Sequence, residues 1–454
     1  MSLEKAKVLH ERGQIDEAIR IYDTLLNEKF DDPAVLFYYG TAMIQLGKNG
    51  AAANLLMQAA LIDPKNSDIM QNLANCYKQE NNNDAAEEIL RMAIKIKDKP
   101  ELWASLGNIY INNGTPQKAL ECYERALKLD PKNFLIKFHI GLAHLEMGNW
   151  DKGWEGYEQG FKAGNRNFRE YPGLKVWNGE KGKKVIVWGE QGVGDELMFM
   201  SVLPDLIKDS EKVIIDCHPR IADTFKRTFG IEVHGTRKNQ MLEWIKSSDA
   251  EYHCSVTTLA AHYRKKSTDF PKTAYLKTDE VKVASHRKRG DGRLRVGLSW
   301  TGGTKGTRID LRSLKLEGLI PVLKNNCDFY SLQYTANSAK EVCELEEKHG
   351  IRVKHFPNMV ECENYDETIN FIASMDLVIS VCTTAIHAAG SLGVPVWIIT
   401  PSKPAWRYGV SGQNPWYGSA TTYRQKDGES WEPVIHRISE DLKRYVQSNK
   451  QRAA

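Results

Sequence analysis

Residues 1 to 164 repeat with a period of 34 residues, and this periodicity constrains the fold more than any other feature of the chain. Glycine or asparagine recurs at intervals of 34, 34, 33 and 34 residues, at Gly13, Gly47, Asn81, Gly114 and Gly148. Further columns keep small residues in phase, at positions 6, 40, 74, 107 and 141 and at positions 18, 52, 86, 119 and 153. Small residues at fixed intervals predict pairs of helices that approach closely, and such units bury their apolar faces only by stacking into a solenoid.

These repeats resemble the tetratricopeptide repeat, with the segment A-L-K-L-D-P at residues 126 to 131 among the better matches. The resemblance implies five helical hairpins over residues 1–164 and a concave groove. Grooves of this kind usually hold a peptide or another protein, so we expect a protein partner there. The alternative is a spacer or a dimerisation arm, which leaves a homo-oligomer open.

The length of 454 residues allows about three domains. No stretch of 18 apolar residues occurs, and the chain opens with Glu4, Lys5 and Lys7 rather than with an apolar segment, so we expect neither a membrane span nor a secretory signal. The eight cysteines show no metal-ligand or redox spacing, which predicts reduced thiols, no metal site and a cytoplasmic protein.

Charge differs between the two parts of the chain. Residues 1 to 164 hold 19 Lys and Arg against 23 Asp and Glu, and the remainder holds 43 against 35. An acidic arm followed by a basic body indicates a part that binds anions, although a basic surface facing nucleic acid stays open.

After Gly164 the period changes to short apolar strands that alternate with helices. The first set predicts strands at 185–188, 213–216, 231–233 and 251–254, with a helix at 196–207 after the first of them. A stretch rich in Lys, Arg and Gly at 286–293 then separates a second set, with strands at 295–300, 328–332, 352–354, 377–379 and 394–399 and helices at 316–323, 337–348, 366–373 and 431–447. This alternation predicts two Rossmann-like α/β domains, 165–286 and 287–454, with a cleft at the carboxyl ends of their strands.

The segment at 376–398 is the most informative one for function. Two buried strands flank a helix of small residues that opens with Thr383 and Thr384, and His387 follows on the same helix face. Free backbone N–H groups and the helix dipole favour an anion at such a helix start. We therefore predict a phosphate-bearing ligand here; the alternative is a threonine N-cap with a histidine satisfied in the core.

A glycine-rich turn, G-E-Q-G-V-G-D, follows the first strand of the first α/β domain. It matches neither a phosphate-binding P-loop nor the dinucleotide fingerprint. Gly192 and Gly194 would let the backbone approach a ligand, and Asp195 at the helix start is the candidate general base. Helix capping is the alternative role for Asp195, and Glu190 is the competing base.

Cationic and aromatic residues follow other strands of the second domain. Lys305, Arg308 and Arg312 lie among glycines in a loop suited to neutralising a diphosphate leaving group, unless it is a solvated surface loop. Gln333 would read a nucleobase or ribose edge or serve as a structural amide. Trp406, beside Arg407, would stack on a sugar or base or pack in the interior.

Together these segments resemble the GT-B glycosyltransferases related to bacterial heptosyltransferases, in their repeat-fused form, and more distantly O-linked N-acetylglucosamine transferase. The motif G-V-G-D-E-L-M-F-M and the motif V-C-T-T-A-I-H-A-A-G carry the likeness. The resemblance implies that Asp195 is the base, that Lys305 and Arg312 stabilise the departing nucleotide, and that the second motif binds the donor phosphates. Cys382 departs from the family pattern, which usually has Asp there.

The resemblance thus implies an inverting, metal-independent transfer of a sugar from a nucleotide-sugar co-substrate to an acceptor hydroxyl. The acceptor class stays open among a protein, a glycan and a modified nucleic-acid base. Two other functions are a nucleotide-sugar-binding scaffold without turnover, favoured by Cys382, and a nucleotide-sugar epimerase of the same architecture.

Overall fold

The computed structural model describes residues 2–239, 241–288, 292–303, 309–409 and 413–453. The chain divides into two compact units. The first comprises Met1–Met147 and Gly156–Asn165, and the second comprises Gly148–Glu155 and Arg166–Ala454. No helix within these described stretches is long and apolar enough to cross a membrane.

The repeat region consists of ten helices in five consecutive pairs. Their bounds are α1 (Leu3–Glu11), α2 (Ile15–Glu28), α3 (Pro33–Gln45), α4 (Asn49–Ile62), α5 (Ser67–Gln79), α6 (Asn83–Ile96), α7 (Pro100–Asn112), α8 (Pro116–Leu129), α9 (Phe134–Glu146) and α10 (Trp150–Lys162). The side chains of Asp32, Asn66 and Asn133 accept hydrogen bonds from the first N–H groups of α3, α5 and α9, so the sequence sets where these helices begin.

Two of the repeat's small-residue columns, the one that starts at Gly13 and the one that starts at Ala6, have different physical causes. Residues of the first column take the left-handed conformation that ends the first helix of each pair, with φ from +61° at Asn81 to +78° at Gly13. Residues of the second column allow close approach instead. A Cβ at Gly107 would collide with the Tyr123 ring, and one at Gly141 would collide with the backbone of α10. The predicted helical hairpins are confirmed.

The first α/β region of the second unit contains a five-stranded sheet. Its elements are β1 (Lys175–Val176), β2 (Lys184–Trp188), α11 (Val193–Phe199), α12 (Leu203–Asp209), β3 (Lys212–Asp216), α13 (Ala222–Phe229), β4 (Val233–His234), β5 (Tyr252–Ser255) and α14 (Val256–Tyr263). The strand order is β1-β5-β2-β3-β4, and all pairs are parallel.

The second α/β region contains another five-stranded sheet, preceded by α15 (Glu280–Arg287). Its elements are β6 (Arg295–Ser299), α16 (Ile309–Arg312), α17 (Ile320–Leu323), β7 (Asp328–Ser331), α18 (Ser338–His349), α19 (Pro357–Val360), α20 (Tyr365–Ala373), β8 (Leu377–Val381), α21 (Thr384–Leu392), β9 (Val396–Thr400), β10 (Ala420–Arg424) and α22 (Trp431–Ala453). The order is β10-β9-β8-β6-β7, again all parallel. Apolar residues of α22 share a buried core with this sheet.

Some local predictions differ from the structure, and the edge strand β1 was not predicted. The predicted helix at 196–207 is interrupted by a 3-10 turn, and α12 restarts beside Pro204, which has no N–H to continue the ladder. The predicted strand at 352–354 is reduced to one bridge between Lys354 and Tyr330. The edge strand β10 was not predicted, since its sequence A-T-T-Y-R lacks an apolar run.

Candidate functional site

The amino terminus of α21 lies at the point where the strand order of the second sheet reverses. The chain first runs from β6 to β7 on one side and then returns to place β8 on the other side of β6. In open parallel sheets this change leaves a crevice at the carboxyl ends of the two central strands, and ligands bind there. Thr383 lies two residues after the end of β8 and is the N-cap residue of α21. The fold therefore places the predicted anion site at the crevice.

The Thr383 hydroxyl does not cap the helix. Its side chain makes no capping hydrogen bond, and its Oγ1 lies 2.9 Å from Ser380 Oγ instead. The methyl group of Thr383 packs on the loop after β6, where a Cβ at Gly302 would collide with it. The threonine N-cap proposed as the alternative role is thus not what the side chain does.

Helix α11 of the first region begins next to α21. A Cβ at Gly194 would lie 3.1 Å from His387 Cδ2 and 3.3 Å from Thr384 Oγ1, which is tighter than ordinary contact. Gly194 is therefore required for the close approach of the two helices. The starts of both helices, and the positive ends of their dipoles, converge on the same crevice.

Asp195 is held by two groups at the start of α11. Its Oδ2 accepts a hydrogen bond from the Gly192 N–H at 3.3 Å, and its Oδ1 lies 3.2 Å from Nη2 of Arg407. Arg407 comes from the loop after β9, and its Nη2 also donates to Gln191 Oε1 at 3.4 Å. The candidate base therefore caps its helix and is ion-paired across the crevice at the same time.

Glu190, the competing base, is a buried structural group. Its carboxylate accepts hydrogen bonds from Nε and Nη2 of Arg166 at 2.9 and 2.6 Å, and it also contacts the Thr257 hydroxyl. The side chains of Glu190 and Arg166 are 4% and 2% exposed. This pairing favours Asp195 over Glu190 as the group that meets a substrate.

His387 is enclosed between two tyrosines. Its Nδ1 lies 3.1 Å from Tyr417 Oη, and its Nε2 lies 3.5 Å from Tyr408 Oη. Burial lowers the pKa of His387 to about 4, so the ring is neutral at pH 7. This geometry is that of the alternative, a histidine satisfied in the core; direct binding of phosphate by His387 stays a prediction.

Arg312 and Arg407 lie close to Cys382. Arg312 Nε donates to the Gly302 carbonyl at 3.0 Å, and its guanidinium occupies the space that a Cβ at Gly303 would take. Burial raises the pKa of the Cys382 thiol to about 12, and both guanidinium groups oppose part of that shift. Cys382 is therefore an uncharged group beside two cations. The predicted Lys305 and Arg308 lie outside the described residues.

Gln333 is a fully buried structural amide. Its Oε1 accepts hydrogen bonds at 3.1 Å from Trp300 N–H, Thr301 N–H and the Ser299 hydroxyl. Its Nε2 donates to the Thr301 carbonyl at 2.8 Å. Of the two roles predicted for Gln333, this geometry favours the structural one, because the amide fixes the loop after β6.

Trp406 packs in the interior of the second unit. Its ring lies edge-on to Trp154 at 5.6 Å between centroids and is tilted against Phe199 at 6.4 Å. The Arg407 guanidinium lies 5.2 Å from the Trp406 ring centroid. Trp406 thus supports Arg407, and stacking of Trp406 on a ligand stays a prediction.

Two cavities lie along the crevice. The small cavity, of about 230 Å³, is lined by Val193 of α11, by Thr383–Ala385 at the start of α21 and by residues that include Arg220, Leu332, Tyr334 and Val360. The large cavity, of about 690 Å³, shares Arg220, Tyr334 and Val360 with it and is also lined by Pro219 and by residues 361–364. Because they share walls, the two cavities adjoin one another. No group of His, Cys, Asp or Glu suited to a metal ion occurs among the residues that the structure describes.

Sequence reasoning missed two residues that line both cavities. Arg220 follows β3, and its guanidinium donates to the carbonyls of Glu363 and Cys362 at 2.9 Å each, which ties the two α/β regions together. Tyr334 follows β7 and is 51% exposed. Arg220 lies four residues after one predicted strand and Tyr334 two residues after another, and that position was the available signal.

Comparison with known proteins identifies the repeats. The tetratricopeptide repeat family matches residues 3–68, 43–109 and 100–133, so the amino-terminal region consists of tetratricopeptide repeats. Protein FlbA of Caulobacter vibrioides is 24% identical over 497 residues, which cover 96% of this chain and 83% of FlbA. This similarity extends through both α/β regions as well as the repeats.

Other similarities are shorter. BBSome complex member BBS4 of Bos taurus is 28% identical over 33% of this chain, and the chain spans 29% of BBS4. Protein O-mannosyl-transferase TMTC3 of Homo sapiens is 31% identical over 91 residues, 20% of this chain and 10% of TMTC3. The crystal structure of MamA superimposes with a TM-score of 0.33 at 22% identity, covering 35% of this chain and 94% of MamA.

Proposed function

We propose that the second unit is a glycosyltransferase that moves a sugar from a nucleotide-sugar donor to an acceptor hydroxyl. One observation carries the proposal. The start of α21 lines a cavity at the direction change of a parallel sheet, and Asp195 lies on the helix that meets α21 from the other α/β region. An anion site and a carboxylate from facing regions are what a diphosphate-activated donor and a hydroxyl acceptor require. This arrangement supports the GT-B fold class, which stays part of the proposal.

The donor diphosphate would bind at the start of α21. Thr383 and Thr384 supply hydroxyl and backbone donors there, and the helix dipole adds about 0.3–1 kcal/mol for an anion. Arg312 bonds to the Gly302 carbonyl beside Thr383, and Arg407 pairs with Asp195. Guanidinium groups bind phosphate oxygens in pairs of hydrogen bonds, so both residues suit a diphosphate. Lys305 would add a third cation. These groups supply the positive charge that the leaving group needs without calling on a metal.

The reaction would be an inverting displacement. The Asp195 carboxylate takes the proton from the acceptor hydroxyl while the acceptor oxygen forms a bond to the anomeric carbon. The bond between that carbon and the β-phosphate oxygen breaks, and its electron pair leaves with the nucleoside diphosphate. Arg312, Arg407 and Lys305 stabilise the negative charge that develops there.

Arg407 would link donor binding to release of the base. In this structure Nη2 of Arg407 lies 3.2 Å from Oδ1 of Asp195, so the guanidinium occupies one oxygen of the carboxylate. A diphosphate carries more negative charge than one carboxylate, so it draws the guanidinium away from Asp195. The base then becomes available once the donor is in place.

His387 would act through its neighbours. With both ring nitrogens near tyrosine hydroxyls, His387 fixes the position of α21 against the segment that carries Tyr408 and Tyr417. Substitution of His387 would therefore weaken donor binding by displacing the helix start. We therefore propose that His387 supports donor binding by positioning α21.

The comparisons support parts of this proposal. The name of TMTC3 states a glycosyl transfer to protein, although the matched stretch is a fifth of this chain. BBS4 is by its name a member of a complex, and the repeats of this chain would likewise recruit a protein partner or the acceptor. We further propose the boundaries 1–164, 165–286 and 287–454 for the three parts, and a cytoplasmic location.

Incubation of the full chain with a panel of nucleotide sugars and a cell extract as acceptor source tests the proposal. We expect release of nucleoside diphosphate that depends on the extract and is lost in Asp195→Asn, while donor binding is kept. Glu121→Gln, an exposed change in the repeats, is the matched control and should keep activity. Full transfer by Asp195→Asn would refute the assignment of the base, and isomerised sugar would indicate an epimerase.

A nucleotide-sugar-binding scaffold is the second candidate function. Cys382 favours it, because the thiol is buried and uncharged where the enzymes that this chain resembles usually have a carboxylate. Tight nucleotide binding without turnover over the whole donor panel would establish this candidate in place of the enzyme.

A further inference from the structure

We propose that the donor nucleotide carries an amino-bearing base, adenine, guanine or cytosine, and that this base stacks on Tyr334 in the large cavity. The inference rests on the proposed function, because it assumes a nucleoside diphosphate at the start of α21. It adds the chemical class of the donor, which the fold and the resemblance leave open.

The two cavities place the parts of a nucleotide in order. The small cavity contains the anion site at Thr383 and Thr384, and Tyr334 and Arg220 form its shared wall with the large cavity. A diphosphate at the helix start therefore has the large cavity directly beside it. A volume of about 690 Å³ lies in the usual range for small-molecule sites, and it accommodates a nucleoside.

Tyr334 offers an aromatic face to this cavity. Its exposed fraction is 51%. Its backbone is fixed, because the preceding residue, Gln333, is buried and bonded to the loop after β6. An accessible ring on a fixed backbone offers a stacking face to a nucleobase.

The polar donors at the cavity wall are already engaged. The guanidinium of Arg220 donates to the carbonyls of Cys362 and Glu363 and also lies 5.5 Å from the Tyr365 ring centroid. The Asn364 side chain donates to Asp223 through Nδ2 at 3.1 Å, and its Oδ1 accepts from a backbone N–H at the start of α20. These groups hold the wall in place.

Glu361 and Glu363 bring two carboxylate groups to the lining of the large cavity. Both residues line the large cavity and are exposed, and Glu361 lies 3.3 Å from Nε2 of His355 at the edge. An ionised carboxylate only accepts hydrogen bonds. It therefore favours a ligand edge that presents N–H groups and disfavours one that presents carbonyl oxygens.

Nucleobases differ in this respect. Adenine and cytosine present an exocyclic amino group, and guanine presents an amino group on its minor-groove edge, whereas thymine presents a carbonyl oxygen in place of an amino group. Uracil shares that carbonyl pattern with thymine. Uracil and thymine do carry one ring N–H, but it lies between two carbonyl oxygens, which a carboxylate repels. The wall at Glu361 and Glu363 thus favours the amino-bearing bases over uracil and thymine.

Calorimetric titration of the full chain with ADP, GDP, CDP, UDP and TDP tests the inference. We expect at least one of the first three to bind roughly tenfold or more tightly than both UDP and TDP, as one paired base contact provides. Glu361→Gln or Glu363→Gln should flatten this preference. Glu347→Gln, the same change on an exposed part of α18, is the control and should not.

Tyr334→Leu separates stacking from recognition of the base edge. The substitution should lower the affinity for all five nucleotides by roughly ten- to a hundredfold, because every base has an aromatic face. Unchanged affinity in Tyr334→Leu would overturn the stacking role. An unchanged preference in both glutamate variants would overturn their part in selection.

The outcomes for wild type distinguish this inference from the proposed function. Tighter binding of UDP or TDP, or equal binding of all five, would overturn the inference and leave the glycosyltransferase in place. Failure of all five to bind would overturn the nucleotide site itself, and with it the proposed function.

Discussion

Replacement of Arg407 by glutamine tests the link between the base and the donor site. Nη2 of Arg407 lies 3.2 Å from Asp195 Oδ1 and 3.4 Å from Gln191 Oε1, and the side chains of Arg407 and Asp195 are 22% and 21% exposed. Glutamine is shorter than arginine and uncharged, but it keeps a hydrogen-bond donor. The substitution therefore removes the electrostatic contact with Asp195 together with the guanidinium's contact with the Trp406 ring.

The expected magnitude follows from the kind of bond that is lost. A hydrogen bond to a charged group contributes about 1.5–3 kcal/mol, so nucleoside diphosphate affinity should fall roughly 10- to 150-fold in Arg407→Gln. The ion pair to Asp195 is partly exposed, and its loss should lower the free energy of unfolding by about 1 kcal/mol or less. Calorimetry gives the first quantity, and urea denaturation gives the second.

A surface arginine provides the matched control. Arg444 pairs with Asp441 three residues before it on α22, and its side chain is 74% exposed. Arg444→Gln should leave nucleotide affinity unchanged. Asp195→Asn should keep or slightly tighten donor affinity, since it frees the guanidinium. Nucleotide affinity in Arg407→Gln within twofold of wild type would refute the role given to Arg407.

Three further predictions concern stability. Gly141→Ala should lower the free energy of unfolding in urea by roughly 1–3 kcal/mol, because its Cβ meets the backbone of the facing helix. Gly47→Ala, in open space at φ +71°, should lower it by about 1 kcal/mol from conformation alone. Equal losses would contradict the two causes. Glu190→Gln should lower stability by about 3–5 kcal/mol because it removes the carboxylate that neutralises the buried Arg166 guanidinium, and a Tm equal to that of wild type would contradict this. The pKa of His387 is about 4 in the folded state and about 6.5 in the unfolded state, so only the unfolded state gains a proton as pH falls from 6.5 to 4. The free energy of unfolding should therefore drop by up to about 1.4 kcal/mol per pH unit over this range. His387→Gln should show a smaller slope when unfolding is measured against pH.

The repeats could be predicted in detail because their signal is local. A residue such as Gly47 or Gly114 ends a helix in a left-handed conformation, and that requirement depends on its own backbone alone. The alternation of short apolar runs with helices likewise predicts parallel α/β regions, which the two sheets confirm. Element order was therefore readable from the sequence.

Individual side-chain roles depend on distant residues and were not readable in this way. The partners of His387 lie 21 and 30 residues further along the chain, at Tyr408 and Tyr417. The amide of Gln333 bonds to a loop more than 30 residues before it. Spacing placed these residues near the crevice, but only the packing shows which groups are already engaged.

Mass spectrometry of acceptors after co-expression tests the central claim most directly. Cells that express the full chain should contain a protein, glycan or nucleic-acid product that is heavier by the mass of one glycosyl residue. The same product should be absent from cells that express Asp195→Asn at an equal level. A product of equal abundance with Asp195→Asn, or no glycosylated product with the active chain under any donor supply, would contradict the account.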